Sequence, residues 1–330
     1  MLTVYDVIES ALVKRESGAS INDNTVWIDL FRPSREEDHF VENALGVAIP
    51  TREEMQEIEA SSRLYAENSA HFMTAVVLHQ KTASGAERAA DGILSTPVTF
   101  VMTANRLVTV RYEEPRAFSI FVQRAQKKDA ACMSGAQVLV GILEAIIDRE
   151  ADRVEHIAHE VDKISHIIFD NKGGQLSRSR RNDVAIKTVG REGEMTSRSR
   201  DCLLSLDRLL TYLSHVLTER NDDKAVRART KTISRDVTSL VTHVDSISQK
   251  TQFLLDATLG MISIEQNNII KLFSVASVAL MPPTLIASIY GMNFKHMPEL
   301  EWPWGYPMAI ALMIISAIVP FVYFKRKGWY

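Results

Sequence analysis

The chain has little cysteine, no excess of basic charge and none of the glycine-rich loops that hold phosphates, and each shortage closes a class of function. Cys132 and Cys202 are the only cysteines in 330 residues. They lack metal-ligand spacing and make no disulfide framework, so a reducing compartment is expected. The formal net charge of −3 argues against a nucleic-acid partner, which needs a basic surface to displace counterions. Neither GxxxxGK[ST] nor GxGxxG occurs, so the usual signs of ATP or dinucleotide binding are missing. No nucleophile with a base partner stands out, and an enzyme is not expected. The start, MLTVYDVIESALVKRES, has no basic region followed by an apolar core. No cleaved signal peptide is therefore expected, and the soluble part should stay in the cytosol.

Long apolar runs are present, but only near the end. Overall composition is ordinary, with 46% hydrophobic and 24% charged residues and a mean hydropathy near zero. That average hides two uncharged segments, 272–290 and 304–324, each near the roughly 20 helical residues that cross a bilayer. Lys325, Arg326 and Lys327 follow the second segment. Short basic flanks stay cytoplasmic, so both termini are expected on the cytoplasmic face of the membrane, with the loop 291–304 facing outward.

The chain ahead of these spans reads as two parts. Residues 1–125 form an expected α/β domain, with strands at 25–31, 70–78, 96–112 and 117–122. REEDHFVENALG and TREEMQEIEASSR read as capped helices with acidic first turns. Residues 126–265 read as a helical stalk region. From about Ser134, apolar residues recur every three or four positions, as in a long amphipathic helix. The Arg- and Ser-rich stretch 171–200 reads as a solvated helix tip rather than a site for lipid or RNA. A final helix starting near Thr230 meets no proline before Pro282, so it can run on into the membrane domain, 266–330. His156, His159 and His166 share a helix with Glu155, Glu160 and Asp162; HEVDK lacks the second His of a zinc motif, and a wet helix face is the expectation.

One pattern in the first span is unusual. Asn267, Ile270, Ser274, Ser277, Met281, Thr284 and Ser288 alternate at spacings of three and four, which puts small and hydroxyl-bearing side chains on one stripe. Small residues of this kind let membrane helices pack closely. Several copies of such a stripe can equally line a wet pore. Composition alone leaves both readings open. Pro282 and Pro283 are expected to kink or loosen the helix.

The loop after the first span reads Tyr290-Gly291-Met292-Asn293, then Met297-Pro298-Glu299-Leu300, with Trp304-Gly305-Tyr306-Pro307 opening the last span. This resembles the CorA family of magnesium and cobalt transporters, whose hallmark is YGMN at the end of the first span followed by MPEL. The resemblance implies a funnel-like homopentamer with a cytosolic α/β domain, long stalk helices and a pore built from the first membrane helix of each copy. The stripe then becomes the pore lining. Gly291, Met292 and Asn293 become the selectivity filter, and Asp256, Asn267, Ile270, Phe273 and Met281 fall at constrictions and polar rings. Partners would be copies of the chain itself, membrane lipids and divalent cations. Mg2+ would be both cargo and regulatory ligand, with Co2+ and Ni2+ as further cargo and no organic cofactor.

The chemistry is consistent with that resemblance. Mg2+ dehydrates reluctantly, and neutral carboxamide and carbonyl oxygens can accept hydrogen bonds from its waters without trapping it. A divalent ion entering a negative interior gains about 4.6 kcal/mol per 100 mV, so influx needs no ATP motif. Two positions depart from the family pattern. Lys295 stands where an acidic residue is common, which leaves ion attraction to Glu299 and Glu301, and Phe273 stands where many members are aliphatic. Asp236 is the candidate for a cytosolic regulatory metal ligand. The alternatives are a zinc transporter of the related proton-coupled branch, or a membrane-anchored cytosolic scaffold.

Overall fold

The structure is a computed structural model and describes residues 1–8, 11–15, 20–57, 59–80, 92–127, 134–169, 178–293, 297–298 and 302–328. The chain divides into two compact units, Met1–Leu176 with Asp183–Leu254, and Ser177–Asn182 with Leu255–Tyr330.

In the first unit the strands are β1 (Leu2–Ile8), β2 (Ala11–Lys14), β3 (Thr25–Phe31), β4 (Leu64–Glu67), β5 (Ala70–Gln80), β6 (Ile93–Met102) and β7 (Leu107–Arg111). They form one sheet in the order β2-β1-β3-β7-β6-β5-β4. Only β3 and β7 run parallel, with Trp27 opposite Leu107, and the remaining neighbours are antiparallel. All five residues of β7 are buried, as expected where both faces of a central strand are covered. Alternation along β3 sends Ile28 and Leu30 into a cluster with Val41, Met55 and Phe72. Trp27, on the other face, meets Phe118 and Phe121.

A buried polar network ties the parallel pair. Arg111 donates to both oxygens of Asp29, the shorter bond at 2.8 Å, and the Thr109 hydroxyl donates to Asp29 Oδ1 at 2.7 Å. Trp27 Nε1 donates to Thr109 Oγ1 at 3.0 Å. Each polar side chain of this network therefore has a partner. Tyr5 stacks on Trp27 at 4.3 Å, and burial pushes its phenol up to about 12.

The helices of this unit correct two expectations. Residues 117–122 belong to helix α4 (Arg116–Ala125), not to a strand. Ala117, Phe118, Phe121 and Ala125 are its buried residues, a spacing of one helix face, so period outweighed the β-favouring composition. TREEMQEIEASSR is not one helix. Thr51 caps α2 (Arg52–Gln56) with a reciprocal Thr51–Glu54 capping box, Glu57 leaves the helical region at ψ 143°, and α3 covers only Ala60–Arg63. The other acidic helix, α1 (Arg35–Leu45), has the expected box between Ser34 and Glu37 and ends on Gly46 at φ 68°.

Helix α5 (Gly135–Phe169) begins against the β6–β7 turn, where a Cβ on Gly135 would lie 2.5 Å from the Arg106 carbonyl carbon. Helix α6 spans Arg178–Glu219 and α7 spans Lys224–Tyr290. The start of α7 is earlier than Thr230 because Asn221, at φ 57°, turns the chain and Asp223 Oδ1 accepts from Ala225 N at 3.1 Å. Within the first unit α7 buries Val226, Ile233, Val237, Val244, Ile247 and Leu254. Arg229 pairs with Glu144 at 2.5 Å, Arg200 with Asp245 at 2.6 Å, and Lys250 with Asp162.

The second unit holds the remainder of α7, the start of α6 and helix α8 (Gly305–Arg326). Asn182 Nδ2 donates to Glu265 Oε2 at 3.1 Å. Helix α7 is continuous for 67 residues with Pro282 and Pro283 inside it, about 100 Å at 1.5 Å per residue. The Thr284 hydroxyl donates to the Leu280 carbonyl at 2.8 Å just past the prolines, a bond that accompanies helix bending.

Candidate ion-conduction site

Both apolar windows, in α7 and in α8, are only 6% buried, so neither is the core helix of a soluble fold. Most side chains along the apolar half of α7 are exposed, and the few covered ones gather on one face. Asn267, Ile270, Ser274, Ser277, Met281, Thr284 and Ser288 are all exposed. Val275 is buried, and Ala279, Pro282, Pro283, Ile286 and Tyr290 are half-buried. At 3.6 residues per turn the mean directions of these two sets lie about 160° apart. The chain covers the face opposite the stripe and leaves the stripe itself open.

Helix α7 ends at Tyr290, immediately before Gly291, Met292 and Asn293. Gly291 N donates to Ala287 O at 3.0 Å and Met292 N to Ile289 O at 3.3 Å, closing the last turn. A Cβ on Gly291 would sit 3.1 Å from Ala287 O, so the turn is tight for any other residue. Gly291, Met292 and Asn293 are all exposed. Phe273 is exposed beside the stripe, and Asp256 is exposed eleven positions before Asn267. Asp236 is exposed in the first unit's part of α7. Glu299, Glu301 and Lys295 lie outside the described residues, as does Cys132.

Other expected groups have structural partners. Glu160 is held by Lys163 at 2.6 Å and Asp162 by Lys250, and these ion pairs keep both carboxyls below the usual range. Cys202 is buried beside Glu150, and burial pushes its thiol well up. Gly305 and Ala309 at the start of α8 are buried. Sequence reading passed over this pair, although a small residue at i and i+4 is the signal for close helix packing in membranes.

An α/β unit joined to two long bare apolar helices, the first ending in an exposed YGMN turn, defines a two-span membrane protein. The comparisons narrow the class. The family model described as "CorA-like Mg2+ transporter protein" matches residues 22–326, and the chain belongs to that family of transporters. It is 34% identical over 330 residues, all of both chains, to the magnesium transport protein CorA of Yersinia pseudotuberculosis serotype I (strain IP32953). It is 36% identical over 306 residues to the protein of the same description in Escherichia coli (strain K12), covering 93% of this chain and 92% of the relative. The complete structure of the CorA magnesium transporter from Methanocaldococcus jannaschii superposes with a TM-score of 0.75 at 17% identity, over 100% of this chain and 99% of the other. The ZntB cytoplasmic domain from Vibrio parahaemolyticus RIMD 2210633 superposes at 0.57 with 11% identity, over 79% of this chain and 97% of that one. At such identities the superpositions speak for the fold alone.

Proposed function

We propose that the protein is a passive Mg2+ channel, assembled as a homopentamer, in which the open stripe of α7 lines the conduction path. The observation that carries this reading is the stripe's position opposite the covered face of α7, leading to the exposed turn at Asn293. A ring of Asn293 carboxamides and Gly291 carbonyls holds the hydrated ion through its waters. Ile270, Phe273 and Met281 supply apolar girdles that stop flow by dewetting, while Asn267, Ser274, Ser277, Thr284 and Ser288 keep the wall wet. Asp256 is the polar ring at the cytosolic end, and Glu299 and Glu301 attract cations at the outer mouth.

The reading assigns residues 1–125 to a cytosolic α/β domain, 126–265 to the stalk region and 266–330 to the membrane domain, with both termini cytoplasmic in a cell inner membrane. Co2+ and Ni2+ share the path, and cytosolic Mg2+ closes it by bridging acidic residues between copies, Asp236 among them. The family match, whose description names Mg2+, favours this ion over zinc. The test is uptake of Mg2+, Co2+, Ni2+ and Zn2+ into liposomes holding the purified protein, with and without an inside-negative potential. Mg2+ influx that rises with the potential is expected. Influx of Zn2+ alone, driven by a proton gradient, would overturn the reading.

A further inference from the structure

We propose that a cavity at the carboxyl ends of β3, β5 and β7 binds a nucleoside phosphate. The cavity has a volume of about 770 Å3, within the range of roughly 300–1,000 Å3 usual for small-molecule sites and far roomier than one inorganic phosphate needs. Its place is suggestive in itself. Strands β3 and β7 are parallel, β5 points the same way across two antiparallel steps, and ligands of α/β sheets gather beyond carboxyl strand ends.

Three guanidiniums from three separate elements line it: Arg32 just past β3, Arg52 in α2 and Arg198 in α6. Arg32 stands at φ 46°, a left-handed conformation that a residue with a Cβ keeps only where its surroundings impose it. Its own side chain does so, Nε donating to the Tyr112 carbonyl at 2.6 Å and Nη2 to Glu113 at 2.9 Å. Arg198 is oriented by the Ile93 carbonyl at 2.9 Å and Glu194 at 2.6 Å. Each guanidinium has five N–H groups, so both retain donors for a ligand. Arg52 is in a different state. Its guanidinium lies 5.2 Å from the centroid of the Tyr112 ring and has no carboxylate within ion-pair distance among the described residues.

A guanidinium held beside an aromatic ring by cation–π attraction can offer its face to a base and its N–H edge to a phosphate. Among the described lining residues, three arginines against Glu113 and Glu114 leave one formal positive charge in excess, which suits an anion. The chain has no glycine-rich phosphate loop, so recognition here runs through side chains rather than backbone amides, and no motif announces it.

The test is titration of ATP, AMP, adenosine and inorganic phosphate into the full chain in Mg2+-free buffer, read by calorimetry. ATP and AMP are expected to saturate one site per chain, with adenosine and phosphate at least tenfold weaker. Arg52→Ala should weaken both nucleotides at least tenfold with an unchanged circular dichroism spectrum, since this exposed side chain holds no ion pair among the described residues. Arg198→Gln should weaken them as well. Failure of ATP and AMP to saturate, equal binding by wild type and Arg52→Ala, or phosphate binding as tightly as AMP would each overturn the proposal. Transport plays no part in the readout, so the channel reading stands or falls separately.

Discussion

Helix α7 is one element with two unlike halves. From Lys224 to Leu254 it follows the rule of a soluble protein, with apolar residues such as Ile233, Val237 and Val244 buried and Arg229 and Lys250 tied to carboxylates of α5. Beyond Leu255 the rule inverts, and Ile270, Phe273, Leu280, Met281 and Leu285 stand more than half exposed. Burying a large apolar side chain is worth about 1.5–3 kcal/mol. The first half obtains that within its own chain, whereas the second must find it in lipid or in further copies. A single chain thus explains the folding of the first unit and leaves the second incomplete.

The largest expected effect breaks the comparison at its far end. Asn293→Ala should abolish Mg2+ uptake into liposomes, a loss on the order of a hundredfold or more, while the assembly keeps its size in gel filtration. Wild-type flux through an intact Asn293→Ala assembly would remove the filter assignment. Next comes a change confined to the first unit. Asp29→Ala leaves Arg111 buried without its partner and should destabilise that unit by about 3–5 kcal/mol, measured by denaturant titration of tryptophan fluorescence near Trp27. A cost below about 1 kcal/mol would mean that the Asp29–Arg111 network contributes little.

The third test sharpens the contrast between the two faces of α7. Cysteines placed singly at Ser274, Ser277, Thr284 and Ser288 should react with a small charged thiol reagent in Mg2+-free conditions roughly tenfold faster than one at Val275, because the reactive thiolate forms in water. The native Cys202 should stay silent until the protein unfolds, since burial holds its thiol well up. Equal rates on all faces would show that the stripe is not a water-facing wall. The smallest effect belongs to gating. Millimolar Mg2+ should slow protease cleavage of the first unit a few-fold by ligand stabilisation, and Asp236→Ala should reduce that protection. Cleavage indifferent to Mg2+ would leave no role for Asp236.

Much of this was legible where one residue pattern has one structural meaning. The strands at 25–31 and 70–78 were plain from β-branched and aromatic runs, and the stripe from its spacing. The α4 segment misled because Phe118, Ile120, Phe121 and Val122 favour strands by composition, while the buried set repeats with helical period. The parallel pairing of β3 with β7 joins residues about eighty positions apart, and nothing local in either strand announces it. The same holds for the guanidinium cavity, whose arginines stand at positions 32, 52 and 198. The covered side of α7 was also hidden, because it depends on packing within the second unit rather than on polarity along the helix.

Pro282 and Pro283 sit side by side within a helix that does not break. Neither has an amide hydrogen, so the carbonyls of Val278 and Ala279 lose their donors from the next turn. Two missing rungs in succession lower the resistance of α7 to flexure at one level, eight residues before Gly291. Thermal bending of this long rod therefore concentrates there, and the segment below can stay stiff while the tip tilts.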